Sequence, residues 1–278
     1  MSTQNALLTI LVEKINNDTL VLPTLPAIAL KVRKAADNPD INLNEMGDVI
    51  GKDPSLTARI IKISNSAYLG RVVKVTSINQ AVTRIGLLQI KNISTALAME
   101  QLFVSRNDLV GQYINREWNK TIDVVANAMA AMQMYTKATK NRDLSLDTMT
   151  LSALVHNIGV LPILTEAERH EEVFANPTFL DDAIDKVSGR IGANIMKVWD
   201  FDQSFIDITE HWNDLAFIPK KVSYIDFVRI GAALAGRMDT QKDAVLNLAM
   251  QRGAIRDMAD LDSEDFKAAR ESGKQIFV

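Results

Sequence analysis

The 278-residue chain contains no cysteine. That absence excludes disulfides, thiolate metal sites and thiol nucleophiles, and it is compatible with a reducing compartment. No run of Lys or Arg stands out, and the formal net charge is −3, so there is no electrostatic footprint for a phosphate backbone. Nucleic acid is therefore not an expected partner. No uninterrupted apolar stretch approaches the roughly 18–20 residues that span a bilayer, so membrane insertion is not expected either. The amino-terminal MSTQNALLTILVEK lacks a basic n-region and soon reaches Glu13, which suits an amphipathic helix better than a secretory signal. The simplest address for such a chain is the cytoplasm. What is present is ordinary globular usage, 47% hydrophobic and 23% charged. This length accommodates one large domain or two packed lobes.

Helical periodicity recurs and no convincing alternating strand does, so the fold class is read as all-α. Leu7, Leu8, Leu11, Val12 and Ile15 share one helical face. Pro26 precedes a helix running to about Ala36, and Asn42 or Asn44 caps a short one closed by Gly51. Asp53-Pro54 opens the next in the order cap then proline, and Ser77 precedes another that ends at Gly86. A helix from Leu87 to about Val104 follows. The polar break at 105–108 sets the expected division into 1–108 and 109–278. Beyond it come a long helix from about Gln112 to Lys137, one from Thr165 to Phe174, one starting at Thr178 and another over 188–198. The helix-prone, charged tail has Asp262 or Ser263 as a cap.

The chain is organised around LSALVHNIGVLPIL at 151–164. Leu151, Leu154, Val155 and Ile158 form a helical stripe, with His156 and Asn157 off it. Gly159 is expected in the left-handed conformation that closes a helix, and Pro162 as a residue that cannot continue one. The polar pair then sits in a last helical turn facing a cleft. Histidine followed by aspartate there would be a strong metal signal, since imidazole and carboxylate are both good ligands for a divalent cation. Here the second residue is a neutral carboxamide.

Three runs resemble the HDOD family: LPTLPAIALKV at 22–32, DPSLTARIIKISNSAYLG at 53–70 and SINQAVTRIGLLQIKNIS at 77–94. Further on, Trp118-Asn-Lys-Thr, LSALVHNIGVL and GRIGANIMKVWDF with His211 occupy the landmarks of an HD-type helical domain. The resemblance runs over roughly 20–235. It implies a multi-helical HD-like domain packed against an N-terminal helical lobe. Catalytic relatives bind divalent metal through an early histidine, a His-Asp pair and a later aspartate, and hydrolyse phosphate esters. Such cations neutralise phosphoryl oxygens and lower the pKa of an attacking water. In this chain the early histidine falls on Lys120, the pair on His156 and Asn157, and the late aspartate on Ala232, with Arg229 nearby. A histidine often found ahead of the glycine-spaced run falls on Ser188, and His211 matches the first of a frequent His-His pair.

Of four ligands the resemblance implies, only His156 survives. An ammonium at Lys120 repels a cation, and one imidazole does not hold a catalytic metal against water. The Gly-Tyr-Pro signature of the cyclic-di-GMP-hydrolysing branch is also missing, because Trp212-Asn-Asp-Leu follows His211. The expectation is a degenerate, non-catalytic HD fold with no cofactor, acting in signalling through protein partners or a bound small anion such as a nucleotide. Lys120, His156, Asn157 and His211 are the candidate ligand-binding residues. The alternative is a metal-dependent phosphohydrolase acting on phosphate esters or cyclic nucleotides, with ligands drawn from His156, His211 and nearby carboxylates.

Plainer readings stand beside these. His156 and Asn157 can simply cap a helix end, and His211 with Trp212 can pack the cleft wall. His170, Glu166, Glu168, Glu171 and Glu172 read as a solvated charged face. Asp202 and Asp207 read as caps, because no partner at helical spacing tunes either as a base. Met129, Met132 and Met134 suit irregular core packing, with an adaptable partner surface as the alternative.

Overall fold

The computed structural model describes residues 3–66, 73–169 and 177–277. His170, Glu171, Glu172, the end of the run at 53–70 and the end of the helix expected from Thr165 to Phe174 lie outside them. Among the described residues the chain is all helix and turn with no strand. Fourteen α-helices are assigned: α1 (Thr3–Asn16), α2 (Ala27–Ala36), α3 (Leu43–Gly51), α4 (Pro54–Ser64), α5 (Ile78–Ile85), α6 (Leu87–Met99), α7 (Asp108–Thr139), α8 (Leu146–Val155), α9 (Val160–Ala167), α10 (Pro177–Val198), α11 (Gln203–His211), α12 (Tyr224–Leu234), α13 (Lys242–Gln251) and α14 (Glu264–Lys274).

Local chemistry explains several starts. The Asn42 side chain accepts from the backbone N–H of Asn44 and Glu45, while the Glu45 carboxylate accepts from the Asn42 N–H, a reciprocal capping box. Asp53 caps α4 through the Leu56 N–H at 2.9 Å, with Pro54 in the first helical position, where its missing N–H costs nothing. Ser77 and Ser263 do the same for α5 and α14 through the N–H groups of Gln80 and Phe266. Each such cap stabilises its helix by about 1 kcal/mol.

The chain divides into two compact units, 1–24 with 102–121 and 154–218, and 25–101 with 122–153 and 219–278. Each unit draws on three separated segments, whereas the expected boundary cut the chain once after residue 108.

In the first unit α1 presents Leu7, Leu11 and Ile15 as a buried face, each 5% exposed or less. α1 packs on α9 and α10. Lys14 Nζ lies 2.6 Å from Glu166 Oε1, and Arg190 donates to the Asn16 side chain at 2.9 Å. Glu166 is buried and also meets Arg169 at 3.2 Å, so it belongs to an interior ion pair and not to the solvated face expected of it. α10 is one 22-residue helix where two were expected.

The second unit packs α2 on α6, α3 on α5 and α12 on α13. In it Arg252 meets both oxygens of the 3%-exposed Asp226 and donates to the carbonyls of Pro219 and Lys221. Met129 and Met132 on α7 are 1% exposed, which supports the core-packing reading.

The apolar stretch Leu146–Ala167 is long and apolar enough to cross a membrane by composition, but 89% of its most apolar part is buried inside the fold. A turn at 156–159 also separates it into α8 and α9. It behaves as core.

Candidate functional site

All four candidate residues fall in the first unit. α8 ends at Val155, so His156 and Asn157 open the turn that leads into α9. The turn is not closed as expected. Gly159 has φ −64° and ψ −10°, the ordinary right-handed conformation, and Pro162 lies inside the first turn of α9. A proline is tolerated there because first-turn N–H groups have no intrahelical acceptor.

Glycine at 159 is instead demanded by proximity. A Cβ on it would lie 1.9 Å from the Ser188 carbonyl oxygen and 2.7 Å from the Gly192 nitrogen, both backbone atoms of α10. One turn along, a Cβ on Gly189 would lie 2.7 Å from the Glu210 carbonyl oxygen, and one on Gly192 3.2 Å from the Thr209 Cβ. Small residues on α10 thus let the His156 turn press on one side and α11 on the other. Ser188, at a position where the family resemblance implies a histidine, contributes its carbonyl to this contact.

This packing leaves His156 fully buried, at 0% exposure. Its ring meets the buried Trp212 edge to face, with centroids 4.9 Å apart and an interplanar angle of 89°. Asn157 is 5% exposed, and its Oδ1 has no hydrogen-bond partner among the described residues. His211 faces elsewhere. Its ring stacks flat on Phe217 at 4.3 Å, and its Nδ1 lies 3.6 Å from Asp214 Oδ2. Of the two residues read as packing the cleft wall, His211 and Trp212, it is Trp212 that reaches His156. The signal was its place directly after His211.

Lys120 stands half-buried on α7, one turn after the buried Glu117, and forms no hydrogen bond or ion pair among the described residues. Asp202 occupies the N-cap position of α11 without a capping hydrogen bond. Asp207 is no cap at all: it lies inside α11 and accepts from the Gln203 side chain at 2.6 Å. In the second unit Arg229 and Ala232 are both buried on α12.

A divalent cation needs several imidazole or anionic ligands. The turn supplies one imidazole and one neutral carboxamide, and Lys120 is an ammonium at a position where the family resemblance implies an imidazole. Among the described residues no three or more His, Asp or Glu side chains are grouped so as to hold a metal. Among the described residues, the side chains at these positions do not fit a catalytic divalent cation.

The HDOD domain model matches residues 22–215. A crystal structure from Shewanella amazonensis, of a candidate metal-dependent phosphohydrolase, is 41% identical, covers all of both chains and superposes with a TM-score of 0.94. An HDOD domain protein of unknown function from Geobacter sulfurreducens shares the fold, at 18% identity over 99% of both chains and a TM-score of 0.61. An uncharacterized protein of Treponema pallidum (strain Nichols) is 26% identical over 211 residues, 72% of this chain, and the chain spans only 39% of that relative's length. By the matched span, which covers more than half of the sequence, the chain belongs to the HDOD domain family.

Proposed function

We propose that this HDOD protein is a non-catalytic signalling module that works through protein contacts or through a small anion held near Lys120, without turning over substrate. The observation that carries this reading is the set of side chains at the positions where the family resemblance implies metal ligands. One imidazole is packed against Trp212, Asn157 stands where a ligand carboxylate would be needed, and Lys120 replaces an imidazole by a cation. A half-buried ammonium with no described ion-pair partner is chemically suited to attract a phosphate, and a buried carboxamide is suited to hydrogen-bond one. Address and partners follow from the same reading: a cytoplasmic regulator meeting other signalling proteins, with neither nucleic acid nor membrane required.

The test is a titration of the full chain with inorganic pyrophosphate and with nucleoside triphosphates, followed by thermal shift. Stabilisation that Lys120→Ala removes supports an anion site. No shift with any anion leaves protein contacts alone as the mode of action.

A second reading is favoured by one finding, the 41% identical relative described as a candidate metal-dependent phosphohydrolase. On that reading His156, His211 and nearby carboxylates would serve a cation despite the substitutions. Metal analysis joined to a phosphodiester assay separates the two.

A further inference from the structure

Within the second unit, α5, α6, the C-terminal half of α7 and the segment leading into α8 enclose an open cleft of about 360 Å³. That volume falls within the range of small-molecule sites, roughly 300–1,000 Å³. Its walls are part apolar, from Ile85, Ile93 and Met132, and part polar, from Gln89, Ser145 and Asp147. No lysine, arginine or histidine is among its lining residues.

Asp147 is the unusual member. It is 4% exposed, yet only one of its oxygens is engaged. Oδ2 accepts from Asn92 Nδ2 at 2.8 Å and from the Thr148 hydroxyl at 3.4 Å. Oδ1 accepts no hydrogen bond, and no cation lies within ion-pair distance, among the described residues. Asp147 lines the cleft, and Oδ1 is not among the fully buried oxygens that lack a partner, so it stays open to solvent there and available to a donor in the cleft. The carboxylate is also held in place. Thr148 Oγ1 accepts from the Ser145 hydroxyl at 2.9 Å, the Ser145 N–H donates to the Tyr224 hydroxyl at 3.0 Å, and Asn92 fixes Oδ2 from α6. An oriented carboxylate oxygen at the edge of a partly apolar cleft without basic residues calls for a donor that brings positive charge and an apolar body.

We propose that this cleft binds a small organic cation, an amine, amidine or guanidine on an apolar body, with Asp147 as its counter-ion. The apolar walls take the body, Asp147 Oδ1 takes a charged N–H, and Gln89 is placed to accept or donate a further hydrogen bond. The site uses none of the residues assigned to the anion reading, so the two stand or fall separately.

Isothermal titration calorimetry of the full chain with benzamidine, and with benzoate as the oppositely charged analogue of the same shape, tests it. Benzamidine is expected to bind saturably with one equivalent per chain, and benzoate to give no saturable heat. Asp147→Asn, which keeps the shape and the Asn92 contact, should weaken benzamidine at least about tenfold. Leu144→Trp, which fills the cleft from a half-buried loop position, should abolish binding. This second variant keeps the test decisive if Asp147→Asn does not fold. Absence of saturable benzamidine binding at millimolar concentration, or binding equally strong in the variants and with benzoate, overturns the proposal.

Discussion

Replacing Gly159 by alanine tests how the His156 turn is built. The backbone at 159 is ordinary right-handed helix, so alanine pays no conformational penalty there. On propensity alone it should stabilise by up to about 1 kcal/mol. Contact distances argue the opposite. The new Cβ would lie 1.9 Å from the Ser188 carbonyl oxygen and 2.7 Å from the Gly192 nitrogen, against 3.4–4 Å for ordinary contact. Both clashing atoms are backbone of α10, so relief requires moving a helix that is itself pressed onto α11 through Gly189 and Gly192. Overpacking a well-packed core costs about 1–3 kcal/mol, and more when backbone must shift. A net loss of about 2–4 kcal/mol is expected, a fall in Tm of roughly 5–10 °C for a chain of this size.

Urea unfolding followed by tryptophan fluorescence reads this directly, because Trp118, Trp199 and Trp212 all lie in the unit that holds His156. Gly111→Ala is the control. That glycine lies in α7, nothing stands within 4 Å of its added Cβ, and the variant should gain about 0.5–1 kcal/mol. Gly159→Ala as stable as the parent, or more stable, would refute the close approach of the turn to α10.

Other expectations follow from single contacts. Arg252→Ala strands the buried Asp226 carboxylate and two backbone carbonyls, and should cost about 3–5 kcal/mol by chemical denaturation, with Arg252→Lys recovering only part because it lacks the planar fork. Asp185 has its pKa raised from 3.8 by desolvation and then by repulsion from Asp181 and Asp182. A raised carboxylate pKa means the folded state holds the proton more tightly, so its stabilising contribution is complete below about pH 3.8 and lost as pH rises through the folded value. Asp185→Asn should therefore be more stable than the parent at neutral pH, by a few tenths of a kcal/mol for these largely exposed neighbours, with the gain fading toward pH 3 and shrinking in high salt.

The fold class and many helix starts were legible because their causes are local. Asn42, the Asp53-Pro54 pair, Ser77 and Ser263 each satisfy an N–H within three residues of themselves. Other features depend on neighbours distant in sequence. Gly159 and Pro162 read locally as a helix stop, yet the turn continues into α9 because Ser188 leaves no room for a side chain at 159. Glu166 reads as solvated until Lys14, 152 residues away, closes on it. Lys120 and His211 were reached only through the family resemblance, whereas His156 and Asn157 stood out locally as a polar pair off the apolar stripe of 151–164. Which side chain meets His156 was not legible at all. The end of α11 turns Trp212 inward and leaves His211 stacked on Phe217, and only packing sets that rotation. The Asp147 cleft was equally hidden, since residues 85–93, 132–136 and 141–147 converge only in the folded second unit.

The central claim, that the residues around the His156 turn no longer support metal-dependent hydrolysis, meets its most direct test in one paired measurement on the purified full chain. Metal content is determined by elemental analysis, and turnover of a generic phosphodiester is followed with added Mg, Mn, Fe or Zn ions. Substoichiometric metal and no turnover above the blank are expected, in the parent and in His156→Ala alike. One or more equivalents of bound metal, with turnover that His156→Ala abolishes, would contradict it.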